Sequence, residues 1–464
     1  MRRFFLSVLF ATAFLHAETA DWIVTAKYVV TMDTARGLIE NGAVAVRGDR
    51  IVGVGPASEI QKNFTAPHRL NRPNAILMPG LINAHTHAAM SLFRGIADDL
   101  RLQDWLEHYI FRAEARNVSP DFVYWGTKLA CLEMMLSGTT TFVDMYYFED
   151  RVADATREAG MRGVLGETVI GFPSPDAKTP RDALARTERL LTRFKNDPLI
   201  VPAVAPHALY TNSPETLKAA RALANRYAAP LIIHLAETKK ENEDSRAKYG
   251  MSATAFLDSI GVFNGRTIAA HGVWLDNDDI RILRERGVGV AHCPSSNMKL
   301  ASGVAPVMKL LQAGVPVGLG TDGPAGSNND FDLMEEMNLA ANLQKVSTGD
   351  PQALPAKQAI VMATILGAKA IGMEKEIGSL EKGKRADLIT IRIDRPNAVP
   401  LYNVYSQIVY ALKGCDVEDV MVNGQPIVRE GRSLTLNEAA ILAAARRYQK
   451  QISSSLKSSS PRSH

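Results

Sequence analysis

Titratable side chains recur at or near the ends of short apolar segments throughout the middle of the chain. Such segments are typical of strands buried in a parallel sheet. Histidine, aspartate and glutamate can bind a divalent cation or transfer protons when the strands that carry them converge. A random scatter of the ten histidines would not place them at segment ends in this way. The residues concerned are His85, His87, Asp144, His207, His234, Glu237, His271, His292 and Asp322.

The motif His-Thr-His at 85–87 places two imidazoles two residues apart on a strand, so that both face one side. Alone, this pattern is as consistent with two core histidines as with a metal site. Joined by His234 and Asp322 from later strands, it predicts a centre with His85, His87, His234 and Asp322 as ligands. Neutral imidazoles and a carboxylate suit Zn²⁺, with Fe²⁺ as the alternative, whereas Mg²⁺ prefers oxygen ligands. We expect one divalent ion that lowers the pKa of a water molecule to about 7.

Three residues are predicted to handle protons beside this ion. Glu237 follows His234 by three residues, and a carboxylate that does not bind the metal is a natural proton carrier. His271 is expected to orient the water or to stabilise its charge. Asp322 is expected both to bind the ion and to accept the water proton. The alternatives are a helix-capping role for Glu237 and a core histidine at position 271.

Eight apolar segments separated by amphipathic stretches predict a (β/α)8 barrel, an α/β fold in which active sites lie at the carboxyl ends of the strands. A doubly wound sheet is the structural alternative, but it gives no reason for eight repeats and the chain lacks a GxGxxG motif. The predicted segments are 81–88, 139–146, 163–170, 200–208, 231–237, 267–274, 288–294 and 315–323.

Strand-like patterns with Gly and Asn-Gly turns occupy both flanks of this region and predict one small β-sandwich built from the two chain ends. The Ser-rich stretch at 453–464 is expected to be disordered. The predicted divisions are a signal peptide at 1–17, β-sandwich parts at 22–77 and 373–435, a metal-dependent hydrolase barrel at 78–372, and a C-terminal helix and tail at 436–464.

The first residues have the pattern of a secretory signal peptide. Arg2 and Arg3 precede an apolar run at 4–15, and the small residue Ala17 follows. The run is too short to span a bilayer. We expect export, with a periplasmic location and no membrane insertion after cleavage. The alternatives are a buried N-terminal strand and a misassigned start.

Composition favours a soluble protein with a small-molecule partner. Apolar residues make up 46% and charged residues 22% of the 464, and 53 basic against 49 acidic residues give a net charge of +4. No Lys/Arg stripe indicates a nucleic-acid partner. The three cysteines form no CxxC pair, which excludes the zinc site of cytidine-type deaminases. The sequence leaves a homo-oligomer open.

Longer motifs surround these residues: PGLINAHTHAAMSLFRG (79–95), SGTTTFVDMY (137–146), APHALYTNS (205–213), IHLAET (233–238), AAHGVWL (269–275), AHCPSSNMKLASGVAP (291–306), GLGTDGPAGSNNDFDLMEEM (318–337) and GSLEKGKRADL (378–388). Across 22–435 the chain resembles the amidohydrolase superfamily, and within it the S-adenosylhomocysteine/5-methylthioadenosine deaminase group, which neighbours the triazine chlorohydrolases. The resemblance implies the metal ligands and the proton-handling set given above. The two-metal relatives carry a lysine on strand four that this chain lacks, which again implies one ion.

The resemblance also implies substrate contacts. Glu114, which follows Trp105 in one segment, is expected to hydrogen-bond the ribose hydroxyls, and His207 is expected to contact the purine. From the residue pattern alone, Trp105 and Glu114 would be interpreted as packing and surface. At the position of an arginine that helps to bind the homocysteine carboxylate in relatives, this chain has Glu167. That carboxylate is expected to disfavour S-adenosylhomocysteine, unless Arg181 compensates.

The resulting hypothesis is hydrolytic deamination of a 6-aminopurine nucleoside, namely 5′-methylthioadenosine, S-adenosylhomocysteine or adenosine, to the inosine analogue and ammonia. One alternative is a deaminase or chlorohydrolase of guanine, a pterin or a triazine on the same scaffold. A cyclic-amide hydrolase is disfavoured by the missing lysine. The alternative from another class is a non-catalytic periplasmic protein that binds a metal or a ligand.

Overall fold

The computed structural model describes residues 17–457. The signal peptide predicted at 1–17 lies, except for Ala17, outside the described residues, and so does the end of the tail at 458–464. Within the described part of the chain, none of the helices combines the length and apolar character needed to cross a bilayer.

Strands from the middle of the chain form a closed parallel barrel of eight strands in the order β7 to β14, with β14 paired back to β7. The predicted barrel is confirmed, and each predicted segment contributes one of its strands. A doubly wound sheet would leave two open edges and is excluded. In chain order the strands are β1 (Glu18–Thr19), β2 (Trp22–Val30), β3 (Leu38–Arg47), β4 (Arg50–Pro56), β5 (Phe64–Thr65), β6 (His68–Pro79), β7 (Leu81–Thr86), β8 (Thr139–Tyr146), β9 (Arg162–Val169), β10 (Ile200–Pro206), β11 (Leu231–Leu235), β12 (Thr267–His271), β13 (Gly289–His292), β14 (Val317–Leu319), β15 (Leu388–Arg392), β16 (Val417–Val422), β17 (Gln425–Arg429) and β18 (Arg432–Ser433).

Helices connect and cover the barrel strands, and eight of the seventeen α-helices in the described part of the chain begin at a capping Ser, Thr or Asp or at a proline in the first turn. A π-helical turn, Trp105–Ile110, joins two of them, and a second one is Gln407–Ala411. The 3-10 turns are Ala88–Phe93, Leu209–Thr211, Pro396–Ala398 and Gly414–Asp416. The α-helices are α1 (Ala57–Asn63), α2 (Leu102–Asp104), α3 (Phe111–Asn117), α4 (Pro120–Leu136), α5 (Glu149–Ala159), α6 (Pro180–Arg193), α7 (Pro214–Arg226), α8 (Lys239–Tyr249), α9 (Ala253–Ser259), α10 (Asn277–Arg286), α11 (Pro294–Lys299), α12 (Val307–Gln312), α13 (Leu333–Thr348), α14 (Ala356–Ala363), α15 (Ile365–Ala370), α16 (Val404–Ser406) and α17 (Glu438–Lys457).

The barrel strands are buried on both faces, which explains why they read as continuous apolar runs. Small and branched side chains from strands β7 to β13 form one core cluster with residues of α15 and the segment after it. Helices and the outer strand faces form a second, larger cluster. The barrel therefore has a packed interior, and its carboxyl end is the place for a site.

Strands from both chain ends form one eight-stranded sheet in the order β18-β17-β16-β15-β6-β2-β3-β4. The predicted joining of the two chain ends in one β unit is confirmed, and the unit predicted as a small β-sandwich consists of this single hydrogen-bonded sheet. A buried ion pair joins this sheet to the barrel: Arg162 in β9 donates from Nη2 to Asp387 Oδ2 over 3.1 Å, and both side chains are 3% exposed. Because Arg162 also donates to the carbonyl of Pro198, both of these acceptors hold the guanidinium in place.

The C-terminal helix α17 packs against α3 and α4 rather than extending freely. The Tyr448 hydroxyl donates to Asp121 over 2.6 Å, and Asn117 Nδ2 donates to Ser455 Oγ over 3.0 Å. The prediction of disorder from 453 onwards is wrong for 453–457, which are helical. Contacts with a helix more than 300 residues away order this Ser-rich turn.

Candidate active site

Four of the predicted metal ligands meet at the carboxyl end of the barrel. His85 lies in β7, His87 follows that strand, His234 lies in β11, and Asp322 lies three residues after β14. Asp322 Oδ1 is 3.4 Å from His85 Nε2 and 3.3 Å from His87 Nε2. His87 Nε2 is 3.4 Å from His234 Nε2. The sequence-based prediction that these side chains converge agrees with these distances.

These separations fit a common metal ion. Ligand atoms about 2.1 Å from a tetrahedral ion stand about 3.4 Å from one another. His85 is fully buried, and within residues 17–457 neither of its ring nitrogens has a hydrogen-bond partner. Burial lowers the pKa of His85 to about 4, so that its imidazole is neutral and offers a lone pair. A buried polar group without a partner is costly, and a cation would satisfy it.

Backbone carbonyls orient two of the imidazoles. His87 Nδ1 is 2.7 Å from the carbonyl oxygen of Met145, and His234 Nδ1 is 2.8 Å from that of His207. A carbonyl accepts only from a protonated nitrogen, so in each ring the Nε2 atom is left free to bind a metal. Such outer contacts are a regular feature of metal-binding histidines.

Asp322 is fixed by two donors. Ser296 Oγ donates to Oδ2 over 2.7 Å, and the backbone N–H of Gly323 donates to Oδ1 over 2.7 Å. Burial opposes ionisation, but the neighbouring imidazoles of His85 and His87 outweigh it and hold the pKa of Asp322 well below its ordinary value. Asp322 is therefore a carboxylate that can bind a cation or accept a proton.

His271 ends β12 and is held by the residue that follows Ser296. The Nδ1 atom of His271 is 3.1 Å from Asn297 Oδ1, and both side chains are buried. The short helix α11 thus presents Ser296 to Asp322 and Asn297 to His271. Sequence reasoning missed both residues. Their position in the loop after the seventh barrel strand, on the catalytic side of this fold, was the available signal.

Glu237 lies after β11 and faces His271, with 3.8 Å between Oε2 and Nε2. Burial raises the pKa of Glu237, which favours the protonated form needed by a general acid. The alternative role as a helix cap is wrong, because Thr238 caps α8 by accepting from the backbone N–H of Glu241. Glu241 in turn accepts from the backbone N–H of Glu237 over 3.0 Å and holds the turn in place.

A pocket with an empty volume of about 550 Å³ opens above these residues, and Trp105, Glu114 and His207 all line it. Glu114 is 4% exposed and accepts from the Tyr146 hydroxyl over 2.8 Å, so its interpretation from the pattern as a surface residue is wrong. Burial raises the pKa of Glu114 to about 7. Trp105 donates to the carbonyl of Ala325 over 2.8 Å. Further lining residues form an apolar wall: Met90, Leu102, Leu106, Ile110, Phe111 and Leu300.

Glu167 does not line this pocket, and the expectation that it repels a homocysteine group is wrong. Its neighbour Leu165 packs in the outer cluster, and alternation along β9 turns Glu167 outwards and Thr168 into the pocket. The Glu167 carboxylate accepts from Arg186 over 3.2 Å behind the strand. Arg181, the compensating residue that we considered, is an exposed residue of α6.

The match to known families agrees with this architecture. The model of the amidohydrolase family matches residues 76–427. The chain belongs to the amidohydrolase family. A short match at residues 42–64, to an imidazolonepropionase-like composite domain of bacteria, covers part of the sheet formed by the chain ends.

Relatives in this family include nucleoside deaminases. The chain is 47% identical to a 5-methylthioadenosine/S-adenosylhomocysteine deaminase of Syntrophus aciditrophicus over 95% of its length and 99% of that protein. It is 44% identical to a 5′-deoxyadenosine deaminase of Methanosarcina acetivorans, over 92% and 97% of the two chains. The crystal structure of an adenosine deaminase from Xanthomonas campestris with bound zinc is 40% identical, covers 95% of this chain and 100% of that one, and superimposes with a TM-score of 0.92. The predicted resemblance to the deaminase group is confirmed.

Proposed function

We propose that this protein is a metal-dependent hydrolytic deaminase of 6-aminopurine nucleosides. The observation that carries the proposal is the convergence of the metal-ligand set, Glu237 and His271 on the floor of a pocket that could hold one nucleoside. The similarity to deaminases of adenosine-type nucleosides over nearly the whole chain supports the same reaction.

His85, His87, His234 and Asp322 would hold one divalent ion, for which we propose Zn²⁺, with Fe²⁺ as the alternative. The donor set and the zinc in the Xanthomonas campestris structure support this choice. Such an ion, when bound, activates a water molecule for nucleophilic attack near neutral pH.

The chain's own residues then move the protons. Asp322, kept ionised by its neighbours, accepts a proton from the attacking water. His271 carries its own proton on Nδ1, toward Asn297, so that its Nε2 atom is an acceptor that orients the water. Glu237, whose pKa is raised by burial, protonates the ring nitrogen next to the reacting carbon. The water oxygen adds to that carbon, Asp322 passes the proton it took from the water to the amino group, and the carbon–nitrogen bond breaks so that ammonia leaves. The proton that remains on the added oxygen passes to Glu237, which restores the Glu237 carboxyl group and gives the carbonyl of the product.

Residues above this floor would bind the nucleoside. Glu114 is placed to accept hydrogen bonds from the ribose hydroxyls, and His207, whose Nδ1 is 3.0 Å from Thr211 Oγ1, is placed to contact the purine. The Trp105 ring closes the side of the pocket. Burial of these groups excludes water, which strengthens each polar contact with the substrate.

The test is a panel of adenosine, 5′-deoxyadenosine and 5′-methylthioadenosine beside guanine, a pterin and a triazine. Ammonia release and the ultraviolet change from adenine to hypoxanthine are followed together. We expect one ammonia for each adenine ring converted and no reaction of the other three rings. Ammonia or chloride release confined to guanine, the pterin or the triazine would contradict the proposal. A protein that binds nucleosides without turnover would also contradict it.

We also propose export of the protein, on the strength of the charged and apolar pattern at 1–17. Fractionation of cells that express the full chain, with N-terminal sequencing of the product, tests this proposal. Recovery outside the cytoplasm with a start close to residue 18 is expected. An intact N-terminus in the cytoplasm would contradict export.

A further inference from the structure

The wall of the pocket next to Glu114 is apolar, and its composition limits which substituents the nucleoside can carry at its 5′ position. Ile110 and Phe111 precede Glu114 by four and three residues, so they lie on the same side of the helical segment. A π-helical turn, Trp105–Ile110, continues this side to Leu106 and Leu102. If Glu114 binds the ribose, as the proposed function requires, the 5′ substituent lies against these side chains.

That wall carries no positive charge. Among the residues that the structure describes, the pocket is lined by neither Arg nor Lys, and its carboxyl groups are Glu114, Glu237 and Asp322. Two cations of neighbouring segments are held by carboxylates outside the pocket, and the first of them, Lys299 beside Leu300, is 2.8 Å from Asp98 Oδ1. Arg186 lies behind β9 against Glu167. An anionic group placed against this wall therefore meets neither a lysine nor an arginine among the residues that line the pocket.

We infer that the site selects nucleosides with an uncharged 5′ substituent, such as hydroxyl, methyl or alkylthio, and discriminates against the zwitterionic amino-acid group of S-adenosylhomocysteine. This inference rests on the proposed function and narrows it. An ammonium group could pair with Glu114, but the carboxylate beside it would lose water without gaining a cation. An alkylthio group loses no polar contact and buries apolar surface against Leu106, Ile110 and Phe111. The names of the relatives, which include both kinds of substrate, do not decide between them.

The experiment compares three thioethers that share the adenine and ribose. These are 5′-methylthioadenosine, 5′-butylthio-5′-deoxyadenosine and S-adenosylhomocysteine, where the butyl compound matches the homocysteine chain in length without its charges. Turnover is measured with the wild-type enzyme, and dissociation constants are measured by calorimetry with Glu237→Gln. We expect kcat/KM to be at least about 30-fold higher for the butylthio compound than for S-adenosylhomocysteine. The dissociation constants are expected to differ in the same direction by at least about tenfold.

Two results would overturn the inference. S-adenosylhomocysteine that binds and reacts within about threefold of the butylthio compound would show that charge is tolerated. If kcat/KM is equally low for the butylthio compound and S-adenosylhomocysteine, and higher for 5′-methylthioadenosine, the selection depends on the length of the 5′ substituent and not on its charge. If no nucleoside is deaminated, the proposed function fails, and the ratio of dissociation constants still decides this inference.

A matched pair of variants tests the missing cation directly. Leu102 lines the pocket and is partly exposed, so an arginine there can pack its stem and place its guanidinium at the mouth. We expect Leu102→Arg to reduce the ratio of kcat/KM for the butylthio compound to kcat/KM for S-adenosylhomocysteine at least about fivefold. Leu102→Met is expected to leave this ratio unchanged. A folded Leu102→Arg enzyme with an unchanged preference would contradict the role of charge.

Discussion

Replacement of Asn297 by leucine tests whether α11 positions the proton-handling residues. Asn297 Oδ1 accepts from His271 Nδ1 over 3.1 Å, and both side chains are buried. This bond leaves the lone pair of His271 on Nε2, toward Glu237 and the expected water. Leucine has nearly the same shape but offers no acceptor, so it removes the bond and leaves the cavity filled.

The expected loss follows from that one bond. A buried N–H without its acceptor costs about 1–3 kcal/mol. This cost lowers the fraction of molecules in which the His271 ring has the productive orientation and carries its proton on Nδ1. Since 1.4 kcal/mol is about a tenfold change in rate, we expect kcat to fall about 5- to 150-fold. Asn297 does not line the pocket, so KM is expected to change by less than about threefold.

Initial rates of adenosine deamination give kcat and KM, and urea unfolding reports whether stability is retained. The control is Asn297→Asp, which keeps an acceptor oxygen and puts a second, ionisable oxygen in place of an amide nitrogen that has no partner in the described part of the chain. We expect this variant to keep kcat within about tenfold of the wild type. A leucine variant as fast as the wild type would contradict a positioning role for Asn297, and so would an aspartate variant as slow as the leucine one.

Three further predictions concern stability and the metal. Arg162→Met leaves Asp387 buried without its cation and should reduce the free energy of unfolding by about 3–5 kcal/mol in urea titrations, whereas Arg189→Met on an exposed position should change it by less than about 0.5 kcal/mol. Burial raises the pKa of Glu241 from 4.5 to about 8, so between these pH values the folded state holds a proton that the unfolded state releases. The contribution of this bound proton to the free energy of unfolding is complete below pH 4.5 and is lost as the pH rises to about 8. Glu241→Gln should therefore gain stability relative to the wild type between pH 5 and pH 8, and a pH-independent difference would contradict the assigned shift. Chelation should abolish turnover and lower Tm, both restored by Zn²⁺, and full activity of protein shown to be free of metal would refute the ion's role.

Much of the fold and the metal-ligand set could be predicted because the relevant signal is local. A run of apolar residues that ends in a histidine indicates both a buried strand and the end at which its polar group emerges. The strand order then follows from the repeated pattern. The convergence of His85, His234 and Asp322 can therefore be predicted without knowing the distances between them.

The errors arose where a residue's environment depends on register or on distant segments. Successive side chains of β9 point alternately into the barrel and away from it, and the register of the strand decides which side Glu167 takes. A shift of one residue would turn Glu167 inwards and Thr168 outwards. Glu114 is polar within a charged stretch, and only the fold brings Tyr146 over it. Ser296 and Asn297 lie in a helix too short for a periodic pattern. The order of Ser455 depends on Asn117, which no local pattern contains.

We propose that Glu237 transfers protons beside one divalent ion held by His85, His87, His234 and Asp322. The most direct test measures bound metal and adenosine turnover on the same preparations of wild type and Glu237→Gln. We expect about one ion per chain in both proteins and a fall in kcat of about 10²- to 10⁴-fold in the variant. A variant that keeps its ion and more than about a tenth of wild-type kcat would contradict this role of Glu237.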